Sequence, residues 1–321
     1  MSNFKVYVTR RIPEPGLKIL NDQCDVTSWE GDDAIPKEEL LKHMGDIDGL
    51  VCMLTDDIDK EVIAKGGSRL KVITTMSVGY DHIDTEECRK RKIVVANTPN
   101  VSTDSVAELT LSLLLLTARR LVEGVDSVKN GEWGPWKPMW LCGVELTDRT
   151  IGILGLGRIG YGVAKRVKPF GVRRILYHDV HEVSYAKEVD AEFTDFDTMV
   201  TESDMVIICC NLTAATRHKF NKETFKKMKK TAILINSGRG GVVQHDDLYE
   251  ALTSGEIYAA GLDVTEPEPL PHDHPLVGLQ NCVILPHMGS NTWDSRNHMA
   301  EIAARNIVSV KNGEDPYGLV N

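Results

Sequence analysis

Three residues, each standing just after an apolar run, have the types that a ketone reduction requires. Arg239 lies among glycines in INSGRGGVV, Glu268 lies in TEPEP and His287 follows CVILP. Hydride delivery to a ketone leaves a developing alkoxide that needs a proton, and histidine is the usual donor near neutral pH. A carboxylate beside an imidazole favours its charged form, which is the role expected of Glu268 toward His287. A guanidinium fork matches the α-carboxylate of a keto acid, the role expected of Arg239. Its glycine neighbours suggest surroundings of bare backbone, open to something small. Taken singly, each residue also has a plainer reading: a satisfied turn histidine, a solvated glutamate in a proline-rich loop, a surface ion pair.

A second constellation would supply the hydride. Gly155-x-Gly157-x-x-Gly160 follows the apolar run TIGIL and opens RIGYGVAKRVKPFG, a helical stretch. The first glycine permits a tight turn, the second lets backbone approach a pyrophosphate, and the third lets helix pack on strand. The helix N-terminus offers free N–H groups and the positive end of its dipole to the phosphates. Asp179 ends the next apolar run, RRILYHD, at the distance expected of the acid that accepts from an adenosine ribose. Its carboxylate repels a 2'-phosphate, and Val180, His181 and Glu182 bring no Arg or Lys to hold one. NAD(H) is therefore favoured, with NADP(H) possible. Strand, turn, helix and acid all in register point to a dinucleotide site.

The elements that position these groups follow from the pattern. Apolar β-rich runs at 4–9, 50–54, 71–77 and 93–98 alternate with helical stretches, and a second series falls at 150–157, 173–179, 205–211, 231–238, 258–264 and 282–287. Continuous apolar strands between helices imply parallel sheets covered on both faces, and two series imply two α/β domains. Arg239, Asp263, Glu268 and His287 then fall beyond carboxyl ends of strands, where open parallel sheets bind ligands. Between the series, Ser105-x-x-Glu108 reads as a capping box opening a helix, VAELTLSLLLLTARR, apolar on most faces. That helix is either a hinge between domains or a core helix of one. Residues 130–143, with three tryptophans and two prolines, read as a loop.

Composition excludes several classes. A net charge of −10 over 321 residues leaves no basic stripe for nucleic acid. Seven cysteines without a Cys-x-x-Cys pair disfavour zinc and suit reduced thiols in the cytoplasm. His272 and His274 in PHDHP would need further ligands to hold a metal, and none is evident, so no metal is expected. The run at 109–118 is too short to cross a bilayer, and the N-terminus lacks an apolar signal core.

The motifs GLGRIG, INSGRGGVV, AAGLDVTEPEPL and ILPHMGS, in this order, resemble those of the D-isomer-specific 2-hydroxyacid dehydrogenases, over nearly the whole chain. TMSVGYDHID, VKNGEWGPWKPMWLCG and LTDRTIGILGLGRIG are similar to the glyoxylate/hydroxypyruvate reductase branch. The resemblance implies a Rossmann nucleotide-binding domain, 103–292, and a flavodoxin-like substrate domain made of 1–102 and 293–321, both doubly wound parallel sheets. It implies Arg239, Glu268 and His287 as the catalytic set, with Val78 and Gly79 holding the substrate carboxylate by main-chain groups and Ser290 nearby. Gly157, Arg158 and Ile159 would meet the pyrophosphate, and Asn211, Ser237, Asp263 and Gly289 would line the rest of the cofactor, Asp263 near the carboxamide. A homodimer is implied, with the long helix and the tryptophan loop at its interface and Trp140 reaching a partner's active site. Vertebrate members of the branch carry basic residues after the second strand and prefer NADPH; YHDVHEV departs from that pattern. Two other functions remain in view: oxidation of D-3-phosphoglycerate, for which no basic cluster is evident, and a nucleotide-sensing corepressor or scaffold of the same fold.

Overall fold

The computed structural model describes residues 4–321, and the chain divides into two compact units, Met1–Ser102 with Asn291–Asn321, and Thr103–Ser290. The second crossing of the chain lies between Ser290 and Asn291.

In the first unit, strands β1 (Lys5–Val8), β2 (Asp25–Ser28), β3 (Gly49–Cys52), β4 (Val72–Thr75) and β5 (Val94–Ala96) form one sheet in the order β2-β1-β3-β4-β5. Every pairing is parallel. This is the order of a flavodoxin-like sheet. GLVC and VITT are buried at every position, as strands covered on both faces must be. Helices α1 (Glu14–Gln23), α2 (Lys37–Met44), α3 (Lys60–Lys65) and α4 (Thr85–Arg91) supply part of the cover. Asp59 caps α3 by accepting from Glu61 and Val62, and Asp84 caps α4 by accepting from Glu87. The chain returns late to complete this unit with α11 (Trp293–Lys311), whose Met299, Ala300, Ala303, Ala304 and Ile307 pack in one core with Val6, Val8, Val51 and Val72.

The second unit holds β6 (Thr150–Leu154), β7 (Arg174–His178), β8 (Ala191–Phe193), β9 (Met205–Ile208), β10 (Ile233–Asn236), β11 (Ala259–Leu262) and β12 (Cys282–Ile284), again all parallel. Their order, β12-β11-β10-β9-β6-β7-β8, is that of a Rossmann sheet extended by one strand, and it reverses direction between β6 and β9. Its helices are α5 (Thr103–Ala118), α6 (Leu121–Lys129), α7 (Arg158–Val167), α8 (Phe196–Glu202), α9 (Lys222–Lys227) and α10 (His245–Thr253).

Two expectations need correction. The capping box does not form: α5 begins at Thr103, so Ser105 lies inside the helix. Glu108 bonds instead to Arg166 Nη2 of α7 at 3.2 Å, beside Asp104 at 2.8 Å. The helix is a core element of the second unit, with Leu113, Leu114 and Ala118 fully buried. The edge strands β2 and β8 lie outside the apolar runs and add to both series.

Candidate active site

The turn after β6 shows why its glycines are there. Gly155 has φ +90, a conformation open to glycine and strained for other residues. A Cβ on Gly160 would lie 2.0 Å from the carbonyl oxygen of Gly155, so the third glycine lets α7 start directly against the turn. A Cβ on Gly157, by contrast, would meet nothing within 4 Å. Gly157 caps α7, whose first turn carries no acidic residue. The result is an open cradle of backbone N–H groups at the positive end of a helix, which fits a dinucleotide pyrophosphate. Arg158 is exposed beside it, and Ile159 packs partly into the core below.

Asp179 closes the cradle from the end of β7. One carboxylate oxygen accepts from Leu156 N at 2.8 Å and the other from Val180 N at 2.7 Å. The side chain is half-buried and turned toward the glycine turn, not out to solvent. Tyr185, which the sequence did not single out, donates its hydroxyl to Leu156 O at 2.8 Å. Leu156 is thus held at both its main-chain N–H and its carbonyl. No spacing signal announces a contact across 29 residues.

Asn211 and Ser237 follow β9 and β10. Asn211 is exposed, and its carbonyl accepts from Thr216 Oγ1 at 2.7 Å. Ser237 is buried, and its hydroxyl accepts from Thr110 Oγ1 at 2.8 Å.

Arg239, Glu268 and His287 come from the loops after three adjacent strands, β10, β11 and β12. His287 Nδ1 lies 2.5 Å from Glu268 Oε1. Burial raises the Glu268 carboxyl, but the bond to His287 and the charges of His287 and Arg239 outweigh it and hold the group below the usual carboxylate range. An ionised carboxylate only accepts, so Nδ1 carries a proton and donates it to Glu268. Nε2 is left as the nitrogen for other chemistry. Thr265 N donates to the second Glu268 oxygen at 3.3 Å.

Asp263 places the histidine. Its carbonyl accepts from His287 N at 2.9 Å, and its carboxylate accepts from Met288 N at 2.7 Å and Gly289 N at 2.9 Å. This buried side chain is pushed up by desolvation, against the bond from Met288, the His287 charge and the bond from Gly289. His287 itself takes a left-handed φ of +54, held by bonds on its own and the next two N–H groups. Ser290 follows, half-buried.

The glycines around Arg239 have a different reason from the expected one. A Cβ on Gly240 would fall 2.0 Å from Thr265 O, and one on Gly238 would fall 2.8 Å from Cys210 O. They admit neighbouring backbone rather than leaving the guanidinium bare. Arg239 Nη1 donates to Gly238 O at 3.0 Å.

Val78 and Gly79 lie in the loop after β4 of the first unit. Their carbonyls accept from Asn97 Nδ2 at 2.7 Å and Ser77 Oγ at 2.6 Å. Trp140 lies between α6 and β6 in a stretch without regular structure, where Trp133, Trp136 and Met139 are also exposed. His274 Nδ1 accepts from Leu276 N at 3.3 Å, and His272 is exposed. Among the described residues no group of three or more His, Cys, Asp or Glu is arranged to hold a metal, and no helix is long and apolar enough to cross a membrane.

Residues 111–289 match the model of the D-isomer specific 2-hydroxyacid dehydrogenase NAD binding domain. The chain is 51% identical over 313 residues to the glyoxylate reductase/hydroxypyruvate reductase of Homo sapiens, covering 97% of this chain and 95% of that one. It is 50% identical over 325 residues to the glyoxylate reductase of Thermofilum pendens, covering 100% and 95%. Among solved structures, a protein from Thermus thermophilus superposes with a TM-score of 0.93 at 42% identity, covering 99% of this chain and 100% of that one.

Proposed function

The chain belongs to the D-isomer specific 2-hydroxyacid dehydrogenase family, and we propose that within it the protein reduces glyoxylate to glycolate and hydroxypyruvate to D-glycerate. It is an oxidoreductase that uses a nicotinamide cofactor. The observation that carries the substrate reading is the 2.5 Å contact of Glu268 with His287 Nδ1, in a chain half identical to a glyoxylate reductase/hydroxypyruvate reductase and to a glyoxylate reductase.

A bound reduced nicotinamide supplies the hydride. The protein supplies the rest. His287 Nε2 gives its proton to the carbonyl oxygen as charge develops there. Glu268 holds the ring's orientation and offsets its positive charge. Arg239 binds the substrate carboxylate through its fork. Asp263 fixes the loop from which His287 projects. Neither phosphoglycerate oxidation nor a corepressor role is favoured, because the relatives are named as reductases of small keto acids.

NADH is the proposed cofactor over NADPH. Asp179 directs its carboxylate into the glycine turn, where it can accept from a ribose 2'-hydroxyl, and Val180 beside it is exposed and uncharged.

A homodimer is proposed from the apolar surface of the second unit. On α6, Leu121, Val122, Val125 and Val128 are 40–56% exposed, and Trp133, Trp136 and Met139 are 71–86% exposed in the following loop. Burying these side chains against a second copy would remove them from water. By this reading Trp140 lines a partner's substrate site, and the protein acts in the cytoplasm.

The test is direct. Purified protein is assayed with NADH and NADPH against glyoxylate, hydroxypyruvate, pyruvate and 3-phosphohydroxypyruvate. Preference for the first two with NADH is expected. Turnover confined to the phosphorylated acid, or none with any, overturns the reading.

A further inference from the structure

Beside the catalytic pair lies a cluster of charges that the chemistry above does not use. Glu266 Oε1 meets Arg217 Nη2 at 2.9 Å, and Glu266 Oε2 meets His218 Nε2 at 3.1 Å. Burial raises the Glu266 carboxyl, but the bonds from His218 and Arg217 prevail and hold it below the usual carboxylate range. Its N–H reaches Nε2 of the buried His245 at 3.4 Å.

The place of this cluster is its significance. Glu266 is separated from Glu268 by one residue, Pro267, whose carbonyl accepts from Thr265 Oγ1 at 2.9 Å. On its other side, a Cβ on Gly241 would lie 3.1 Å from Glu266 Oε1 and 3.2 Å from Arg217 Nη1, so the ion cluster rests on the chain just after Arg239. The adjoining Gly240 lies against Thr265 itself. His218 is joined to the same segment through its own N–H, which donates to Gly241 O at 2.8 Å. Beyond it, the Thr216 hydroxyl holds Asn211 O. One carboxylate therefore joins the loops after β9, β10 and β11.

We propose that Glu266, clamped by Arg217 and His218, is a positioning residue that sets the spacing between Arg239 and the Glu268–His287 pair. The assignment rests on the reductase reading above. Without the clamp, the loop carrying Glu268 loses its side-chain tie to Arg217 and His218, and Glu268 loses its register against the imidazole. The side chains are well exposed, Arg217 51%, His218 38% and Glu266 37%. Exposed ion pairs add little to stability. The clamp therefore matters through geometry, where small misplacements of reacting groups are costly.

The experiment uses the full-length protein with glyoxylate and its preferred cofactor, in unmodified form and as Glu266→Gln, Glu268→Gln and the double variant. Glu266→Gln is expected to lower kcat about tenfold, with the cofactor KM and the melting temperature little changed. The isotope effect with cofactor deuterated at the transferred position should rise, because chemistry becomes more limiting. In the Glu268→Gln background the further change should be close to none, since Glu266 acts through Glu268. Arg217→Lys, which keeps the charge, should retain most of kcat. Full additivity of the two changes, or a kcat unaffected in Glu266→Gln, overturns the proposal. A protein inactive before any substitution defeats the functional reading instead, so the two failures are separable.

Discussion

Asp179 accepts a hydrogen bond from Leu156 at 2.8 Å, which ties this carboxylate to the glycine turn; in the function proposed above, the same carboxylate is the gate on cofactor choice. NADH should give the higher kcat/KM. Asp179→Asn removes the charge but keeps an oxygen for the Leu156 N–H, so it should raise kcat/KM for NADPH with little loss of stability. Asp179→Gly with Val180→Arg should favour NADPH more strongly, but with a lower melting temperature because the turn loses its anchor. Steady-state kinetics with both cofactors, beside thermal melts, measure this. A native preference for NADPH would falsify the assignment.

His287 and Glu268 should fail together. His287→Ala is expected to remove most reduction while leaving cofactor binding intact. In Glu268→Gln the ring loses the carboxylate that accepts from Nδ1 and orients it, so kcat should fall with little change in cofactor KM. The folded value of Glu268 is depressed. Its stabilising contribution is therefore present above the unfolded carboxyl range and lost as pH falls through the folded value. The difference in melting temperature between the two proteins should narrow from about pH 5 downward. An unchanged kcat in Glu268→Gln would rule out the pairing.

Arg239→Ala should lower kcat/KM for glyoxylate by about a hundredfold or more, as expected when an unpaired carboxylate loses a bidentate partner worth about 3 kcal/mol. Binding of cofactor, followed by its fluorescence, should be nearly unchanged. Lysine should restore only part, being a point charge without the fork. Unaltered kinetics in the alanine variant would end this assignment.

Gly157 and Gly160 of the turn should behave differently. Gly160→Ala places a methyl 2.0 Å from Gly155 O and should destabilise the second unit by about 1–3 kcal/mol. Gly157→Ala meets no protein atom, so the fold should melt as before while cofactor affinity falls. Thermal melts and titrations of the two variants distinguish them; equal behaviour would mean the cradle does not face a ligand.

Val125→Asp, on the exposed face of α6, should convert a dimer to monomers in sedimentation. If Trp140 serves a partner's site, mixing Trp140→Ala with His287→Ala chains should restore about one native site per heterodimer, because both lesions then fall in the other site. No recovery after subunit exchange would place Trp140 with its own chain's site.

How much of this was legible in the sequence depended on whether a feature is local. β3, β4, β6, β9 and β10 are buried on both faces and read as unbroken apolar runs. β2, DVTS, and β8, AEF, lie at sheet edges with exposed positions, and so carry no such run. The turn glycines and Asp179 have fixed spacing along one strand–helix–strand unit. The grip of Tyr185 on Leu156 and the clamp on Glu266 join distant segments, and only the register of the sheet brings them together. The Ser105–Glu108 pair misled because the same spacing occurs inside a helix, where Ser105 is buried and Glu108 faces Arg166.

The late return of the chain to its first unit also governs the order in which the molecule is made. Val95 N donates to Asn321 Oδ1 across 226 positions, and Val320 N donates to Val95 O. On the ribosome, the nucleotide-binding unit has emerged in full while the first sheet still lacks α11, leaving Val6, Val8, Val51 and Val72 without their alanine-rich cover. Domains fold as they emerge, and exposed apolar faces aggregate. The earliest synthesised strands are thus the last to be sealed, and a nascent chain stalled before α11 is the form that most needs a chaperone.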